Sequence, residues 1–370
     1  MRCRIEKDNL GEKTIGQESY YGIGTERSKE VFQMTKHSLS RQMIKALALA
    51  VKVTSKTNGK MGYLTSKETE VLLLSCDEIL NGKLHGQFVV DVLHDGYGYG
   101  MYINAIEVIT NRANEMLGSK KGLYDMISKE KVMKYHDLNE MVIFVGKLAL
   151  VKIAKKLVAE CKKTYNSLYG FLDKTTADET SYTYNQILSI AEILEKDTKR
   201  IDKGIASILQ ISFGKNVPEE VDKDKYLKAF IDSLNSEVTE KYVLATNYLT
   251  HSNNLDSFVY LSALVKNMMV NFSRSICNLS QLVDLNKLEI PTILTIDKSP
   301  QKIISSFVRQ VSFYIVGNDM TVSRSVEEGE LDDNAYLPII YASLQESVNL
   351  VRRTIRTVKE KVFDQMKITE

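Results

Sequence analysis

Two long stripes of apolar side chains constrain this chain more than any other feature. Between residues 256 and 279, and again between residues 337 and 362, apolar residues recur at steps of three and four, the spacing that gives one face of an α-helix. Only four prolines occur in 370 residues, so helices much longer than the globular average are possible. Such helices cannot bury their stripes within one small globule. The pattern therefore predicts a bundle of long helices, which other subunits often complete.

Glycines and the remaining periodic segments divide the chain. Thirteen of the nineteen glycines lie at or before Gly122, which predicts loops and turns in the first third and mostly helix after it. We expect a mainly α fold, with a small N-terminal domain of helices and loops over residues 1–139 and a long-helix bundle domain over residues 140–370. Further amphipathic helices are predicted at residues 40–57, 140–165, 184–211 and 303–316, and short strands at residues 20–24 and 87–92. Asn58-Gly59 predicts the end of the first of these helices.

Charge and cysteine usage argue against several classes of function. Lysine and arginine outnumber aspartate and glutamate by only 49 to 47, and the charges are interspersed, so no nucleic-acid-binding face is predicted. The charged N-terminus lacks the apolar core of a signal peptide, and the most apolar later run is interrupted by Lys147 and Lys152. We therefore expect a cytoplasmic protein without a membrane span. The four cysteines and five histidines form no CxxC, HExxH or similar constellation, so no metal site is expected.

Residues 95–102 combine two features that conflict. Glycines at every second position, ahead of a helical run, are typical of a loop that binds a small polar ligand. The side chains between and after these glycines are bulky, however: Tyr97, Tyr99, Met101 and Tyr102. Side chains of this size fill a pocket more often than they bind a ligand in it.

Five segments, in the same order, resemble one family over nearly the whole chain. They are RIEKDNLGEK at residues 4–13, YYGIGTER at 20–27, CDEILNGKLHGQFVVDV at 76–92, INAIEVITNRA at 103–113 and QVSFYIVGNDMTV at 310–322. Together they resemble the aspartase/fumarase superfamily, and within it the aspartate ammonia-lyases. Five matches in register are far more specific than a single glycine motif.

The resemblance implies a fold and a chemistry. It implies a mainly helical subunit whose long helices assemble into a homotetramer, with each active site built by loops from three subunits. It also implies reversible anti elimination of ammonia or water from a succinyl substrate, without a cofactor. That reaction needs a base beside a carboxylate, donors for the resulting aci-carboxylate, and cationic or amide groups for two substrate carboxylates.

The first two site segments depart from the family pattern. Where the family has GGAGTSTNMNANEV, residues 95–108 keep the framework glycines, Asn104 and Glu107. The four polar residues TSTN become Tyr99, Gly100, Met101 and Tyr102. Where the family has HVNMSQSTND, residues 131–140 place Asp137 and Leu138 on the substrate-binding Ser and Thr and keep Asn139. Asp137 would repel a substrate carboxylate.

The other site segments differ as well. In DKTTADET, residues 173–180, Thr175 matches the family threonine and Thr176 replaces its His or Gln. The flexible loop whose serine is the family's catalytic base has no counterpart in residues 291–310, which are too few for it. Ser299 is the candidate remnant, but the shortened segment does not assign it, so no catalytic residue is predicted. The family's small C-terminal domain is expected to be absent.

We interpret the chain as a degenerate aspartase-like protein, a catalytically inactive pseudoenzyme with a structural or regulatory role through oligomerisation of its helical bundle. The alternative is a functional C–N lyase that acts on aspartate or a related succinyl substrate through a remodelled site. The expected partners are other copies of the chain or an aspartase-like protein. Ligand-binding candidates at the ancestral site are Tyr99, Tyr102, Asn104, His136, Asn139, Thr175 and Thr176. His94-Asp95 and His136-Asp137 are interpreted as solvated or capping pairs rather than as new acid/base pairs.

Overall fold

The computed structural model describes residues 2–247, 254–329 and 334–369. Over these residues the chain is mainly α-helical, which confirms the predicted fold class. The helices are α1 (Ile23–Val31), α2 (Arg41–Lys60), α3 (Ser66–Leu80), α4 (Tyr99–Met116), α5 (Lys129–Val132), α6 (Leu138–Leu172), α7 (Tyr182–Ile208), α8 (Lys223–Asn235), α9 (Asp256–Asp284), α10 (Pro300–Glu327) and α11 (Leu337–Val358). The strands are β1 (Cys3–Asp8), β2 (Gly11–Gly16), β3 (Gln210–Ile211), β4 (Val243–Leu244), β5 (Leu288–Glu289) and β6 (Lys367–Ile368).

The strands form three separate pairs. β1 and β2 make an antiparallel hairpin, β3 and β4 pair in parallel, and β5 and β6 pair antiparallel. The hairpin carries little sequence signal, because apolar and polar residues do not alternate between its buried and exposed faces: Glu6 and Ile15 are buried, while the apolar Ile5 is 68% exposed.

The strands predicted at residues 20–24 and 87–92 are wrong. Residues 20 and 21 form a bend before α1, and residues 85–87 form a single 3-10 turn. The following segment makes only an isolated bridge between Asp91 and Ser38. The physical reason lies in the side chain of Asn104, which accepts a hydrogen bond from the Val89 N–H and donates one to the Gln87 carbonyl. Backbone groups that a neighbouring strand would use are therefore bonded to a side chain.

The chain forms two compact units. Unit one comprises Met1–Ala149, Leu209–Leu255 and Glu327–Ala342, and unit two comprises Leu150–Ile208, Asp256–Val326 and Ser343–Glu370. The domain boundary after residue 139 stays a prediction, because compact units need not be independently folding domains.

In unit one, α4 lies at the centre of the buried core. Its residue Glu107 is fully buried and accepts hydrogen bonds from the N–H groups of Gly22, Gly24 and Thr25 and from the Thr25 hydroxyl. These are the donors at the start of α1, so a carboxylate of one helix caps another. Lys129 provides the counter-charge, with its Nζ 3.3 Å from Glu107 Oε1.

The predicted end of α2 at Asn58-Gly59 is wrong by two residues, since α2 continues to Lys60. Asn58 accepts a hydrogen bond from the Tyr226 hydroxyl at 2.8 Å and is fully buried. A Cβ on Gly59 would lie 2.8 Å from Thr69 Cγ2. The dipeptide therefore packs α2 against its neighbours and does not end the helix.

Unit two consists mainly of long helices. Asp197 of α7 accepts hydrogen bonds from Asn271 of α9 and Arg200, and Asp319 of α10 accepts one from Ser262 of α9. A Cβ on Gly204 of α7 would come within 2.7 Å of Leu264 Cδ1, so this glycine permits close helix packing. Within the described ranges, no helix has the length and apolar character needed to cross a membrane.

Candidate functional site

The first turn of α4 is closed by groups that precede it in the same loop. Gly98 turns the chain with a φ of 79°, and the helix starts at Tyr99. The Asp95 carboxylate then accepts the Tyr99 N–H at 2.8 Å and the Gly100 N–H at 2.7 Å. The Met101 N–H donates to His94 Nε2 at 3.3 Å. The N–H groups that an open helix N-terminus would offer to an anion are thus already hydrogen-bonded.

His94 is held in one tautomer by these contacts. Its Nε2 accepts the Met101 N–H, so the proton lies on Nδ1, which donates to the Asp91 carbonyl at 2.9 Å. Burial lowers the pKa of His94 despite the neighbouring Asp95. The ring is therefore a neutral structural group with both nitrogens bonded.

Gly100 permits the close approach of Ser28 and His94 to the helix. A Cβ at this position would collide with Ser28 Oγ and lie 2.9 Å from His94 Cδ2. The Ser28 hydroxyl oxygen is buried and has no hydrogen-bond partner among the described residues. The absence of a side chain at Gly100 therefore leaves space that Ser28 of α1 occupies.

Tyr102 and His136 form a buried pair on α4 and the segment before α6. Tyr102 is 5% exposed, and its hydroxyl oxygen lies 2.8 Å from His136 Nδ1. Burial raises the pKa of Tyr102 and lowers the pKa of His136 to about 3, so both rings are neutral near pH 7. His136 Nε2 is buried and, among the described residues, has no hydrogen-bond partner. This is one of the few unsatisfied polar atoms in the described interior, and such atoms need an explanation.

The segment after His136 makes structural contacts. Asp137 Oδ1 accepts the Glu140 N–H at 3.1 Å, so Asp137 caps α6. Asn139 accepts a hydrogen bond from the Asn334 side chain at 3.0 Å. The capping interpretation of Asp95 and Asp137 agrees with this geometry, and the two adjacent histidines are only partly exposed and contact other protein groups.

The remaining candidates have different surroundings. Tyr99 is 47% exposed at the surface of unit one, and Asn104 is fully buried with both ends of its amide bonded to backbone. Thr175, Thr176 and Ser299 belong to unit two. Thr175 Oγ1 accepts the Ala177 N–H, and Thr176 is exposed. Of the candidates, the structure thus brings Tyr102 and His136 into direct contact within unit one.

The comparisons with known proteins agree on one group. No family model matches the chain. Aspartate ammonia-lyase from Bacillus subtilis is 26% identical over 377 residues, which cover 96% of this chain and 79% of that protein. The enzyme of the same name from Helicobacter pylori is 27% identical over 390 residues, covering 98% of this chain and 82% of that protein.

Comparison with solved structures identifies proteins that share the fold of this chain. A fumarate lyase:delta crystallin from Brucella melitensis superimposes with a TM-score of 0.92 at 25% identity, covering 100% of this chain and 90% of that one. The chain belongs to the aspartase/fumarase superfamily. A class II fumarase from Schistosoma mansoni, with a TM-score of 0.86 at 19% identity and coverage of 100% and 85%, shares the fold of this superfamily member.

Sequence reasoning missed the groups that close α4 in this superfamily member. Asp95 and His94 were recognised only as a capping or solvated pair, and Ser28 was not singled out. Asp95 stands three residues before the helix-starting Gly98, a spacing at which a carboxylate can reach back to first-turn N–H groups. Ser28 carries no such local signal, because it comes from a helix distant in sequence.

Proposed function

We propose that this superfamily member does not catalyse the elimination reaction and acts instead through its assembly with other subunits. The observation that carries this proposal is the Asp95 carboxylate, which occupies the N–H groups of Tyr99 and Gly100. These groups belong to the segment that replaces the family's TSTN residues, which the resemblance links to the substrate.

Electrostatics makes the occupied helix start unfavourable for a dicarboxylate. Two like charges about 4 Å apart repel by about 4 kcal/mol at an effective dielectric constant of about 20. A new hydrogen bond from an uncharged donor to a charged carboxylate returns only about 1.5–3 kcal/mol. A substrate carboxylate would have to displace Asp95 or bind beside it, and either choice costs more than it gains.

Proton abstraction lacks a suitable base in the same region. A general base works best when its pKa lies near the working pH, whereas burial lowers the pKa of His136 to about 3. Both nitrogens of His94 are already hydrogen-bonded. Ser299 in unit two has no side-chain hydrogen bond to any titratable group in the described part of the chain. These features support an inactive site.

Direct assay tests this proposal. Purified protein, shown to be folded by circular dichroism, is incubated with aspartate and separately with malate while fumarate is followed by its ultraviolet absorbance. An active aspartate ammonia-lyase is the positive control. We expect no fumarate above the protein-free blank, and turnover that scales with protein concentration would overturn the proposal.

A second candidate function is a C–N lyase with a changed substrate of the succinyl class. The observation in its favour is the unpartnered Nε2 of His136, since a buried polar atom without a partner is a feature of functional sites. If this lyase exists, a panel of N-substituted aspartates should yield fumarate, and His136→Asn should abolish the reaction. His37→Asn, which changes an exposed histidine, is the matched control.

Assembly is proposed to use an apolar stripe on α10. Phe313, Val316 and Met320 are 72%, 43% and 61% exposed, and Gly317 between them is open to solvent. Their spacing of three and four residues places them on one helix face. An exposed apolar stripe of this kind is typical of a subunit interface, and we propose a homotetramer. An oligomer with an aspartase-like partner is the alternative occupant of the same face.

Light scattering after size-exclusion chromatography tests the assembly. We expect the mass of four chains for the unmodified protein and a smaller mass for Phe313→Glu. Lys302→Glu, on an exposed position of the same helix, controls for the added charge and should leave the mass unchanged. A monomer mass for the unmodified protein, measured alone, would contradict the homotetramer.

A further inference from the structure

The two units differ in charge, which the total composition conceals. Unit two contains 23 lysines and arginines against 17 aspartates and glutamates, and unit one contains 26 against 30. The chain's net charge of +2 is therefore the sum of a basic and an acidic unit. In unit two the exposed face of α6 carries four lysines: Lys152, Lys156, Lys162 and Lys163.

Three arginines lie within about one turn of α11, and one of them pairs with a carboxylate of α6. Arg356 donates from Nε at 3.0 Å and from Nη2 at 2.6 Å to Glu160 Oε2 of α6. Arg352 precedes Arg356 by one helical turn, so the two share a face. Arg353 is exposed and, among the described residues, has no carboxylate within ion-pair distance. Glu160 therefore pairs directly with Arg356 alone among the three, and Glu360 adds a second negative charge near Arg356 that raises the pKa of Arg356.

Of the three arginines, Arg352 has a buried N–H group with an unmet hydrogen-bonding requirement. Its Nε atom is buried without a hydrogen-bond partner among the described residues. Burial lowers the pKa of Arg352, and repulsion from Arg356 and Arg353 adds to that effect more than Glu160 offsets it. A guanidinium N–H buried without a partner is unfavourable by about 1–3 kcal/mol, so a bound acceptor at this place would be stabilising.

We propose that Arg352, Arg353 and Arg356 form a binding site for a phosphate-type oxyanion. Among the described residues, Arg352 and Arg353 have no ion-pair partner after Arg356 pairs with Glu160, and one multiply charged phosphate group can neutralise both guanidinium groups where a single carboxylate cannot. Guanidinium groups bind tetrahedral oxyanions through paired N–H donors. The exposed lysines of α6, among them Lys163 one turn beyond Glu160, raise the local concentration of such anions.

This site is independent of whether the superfamily member retains any lyase activity. It lies within unit two, whereas the closed turn of α4 lies within unit one. Failure of one proposal therefore leaves the other standing.

Isothermal titration calorimetry of the full chain with pyrophosphate at low ionic strength tests the site. We expect saturable binding that Arg352→Gln weakens by about tenfold or more. Arg274→Gln is the matched control, because Arg274 is an exposed arginine on α9 of the same unit. Thermal unfolding of both variants checks that each is folded. Absence of saturable heat, or equal weakening by both substitutions, would overturn the proposal.

Two further titrants distinguish the sources of the phosphate group. Inorganic phosphate competing with pyrophosphate indicates a site for a small anion. A short single-stranded oligonucleotide that binds more tightly, and whose affinity depends on Arg352 more than on Arg274, indicates a nucleic-acid backbone. If Arg352→Gln changes the mass of the assembly while pyrophosphate affinity stays the same, the arginines contact another subunit and the anion site is refuted.

Discussion

The core around α4 and the arginine cluster of α11 differ in how fully their charged groups are paired. Around α4, the carboxylates of Asp95 and Glu107 are hydrogen-bonded to the backbone N–H groups of two helix starts. On α11, Arg356 pairs with Glu160, while neighbouring Arg352 has a buried N–H without a hydrogen-bond partner among the described residues. The difference teaches that helix starts in this chain are satisfied by carboxylates of the same unit, while the arginine cluster keeps guanidinium groups without an ion-pair partner among the described residues.

Glu107→Gln tests the buried carboxylate at the start of α1 and has the largest expected effect on stability. The substitution removes the charge opposite Lys129 and leaves N–H groups of the α1 start without their acceptor, so we expect a loss of about 3 kcal/mol in the free energy of unfolding. Urea denaturation measures it. Glu130→Gln changes an exposed glutamate and should leave the urea midpoint within error. A loss below about 0.5 kcal/mol for Glu107→Gln, the range of ordinary surface changes, would refute the central role of this carboxylate.

Gly100→Ser tests how tightly the start of α4 is closed. It restores the family's residue, but its Cβ collides with Ser28 Oγ, so we expect a loss of about 2 kcal/mol from overpacking. Adding Ser28→Gly should recover part of that loss. Gly170→Ala, at a helix position with open space around the new Cβ, should be neutral or stabilising. Equal stability of Gly100→Ser and the unmodified protein would mean that the turn is loose.

The pH dependence of the free energy of unfolding tests whether His136 is neutral in the folded protein. Its folded pKa of about 3 lies below the ordinary 6.5, so below pH 6.5 the unfolded chain binds a proton that the folded chain does not. Stability from this group must therefore fall as pH decreases, by about 1 kcal/mol between pH 6.5 and about pH 5.5. His136→Asn should reduce that slope, and His37→Asn should not. A slope unchanged by His136→Asn would show that the ring titrates normally.

Arg352→Met tests the arginine cluster of α11 and has the smallest expected effect on stability. Because the Arg352 guanidinium lacks a partner for its buried Nε, its removal should change the free energy of unfolding by less than about 0.5 kcal/mol without anion, or stabilise slightly. Addition of pyrophosphate should raise the melting temperature of the unmodified protein but not of this variant. A large loss of stability without anion would show that Arg352 already has a structural partner.

Much of the fold was predictable because long helices carry a repeated signal. The stripes at residues 256–279 and 337–362 lie in α9 and α11, and the amphipathic segments at 40–57, 140–165, 184–211 and 303–316 overlap α2, α6, α7 and α10. Pro338 lies in the first turn of α11, where a missing N–H has no cost. Predictions that depended on short segments failed. At residues 87–92 and at Asn58, side chains from distant positions decided the backbone conformation.

The candidate site was predictable in part. The sequence predicted that bulky side chains would fill the loop, which holds for Met101 and Tyr102 but not for the exposed Tyr97 and Tyr99. It also predicted a solvated or capping pair at His94-Asp95, and the structure shows Asp95 capping α4. It gave no indication that Tyr102 would bond His136, 34 residues away, or that Ser28 would stand against Gly100.

By itself, then, the sequence determined the superfamily and the long helices, since both depend on residue type and on the period at which apolar residues recur. Only the tertiary structure decided which groups pack against the start of α4 and which charged groups find a partner. Arg356 and Glu160 are 196 residues apart along the chain, yet they form an ion pair once α11 and α6 pack. Charge balance depends on distance in space, and the sequence records only distance along the chain.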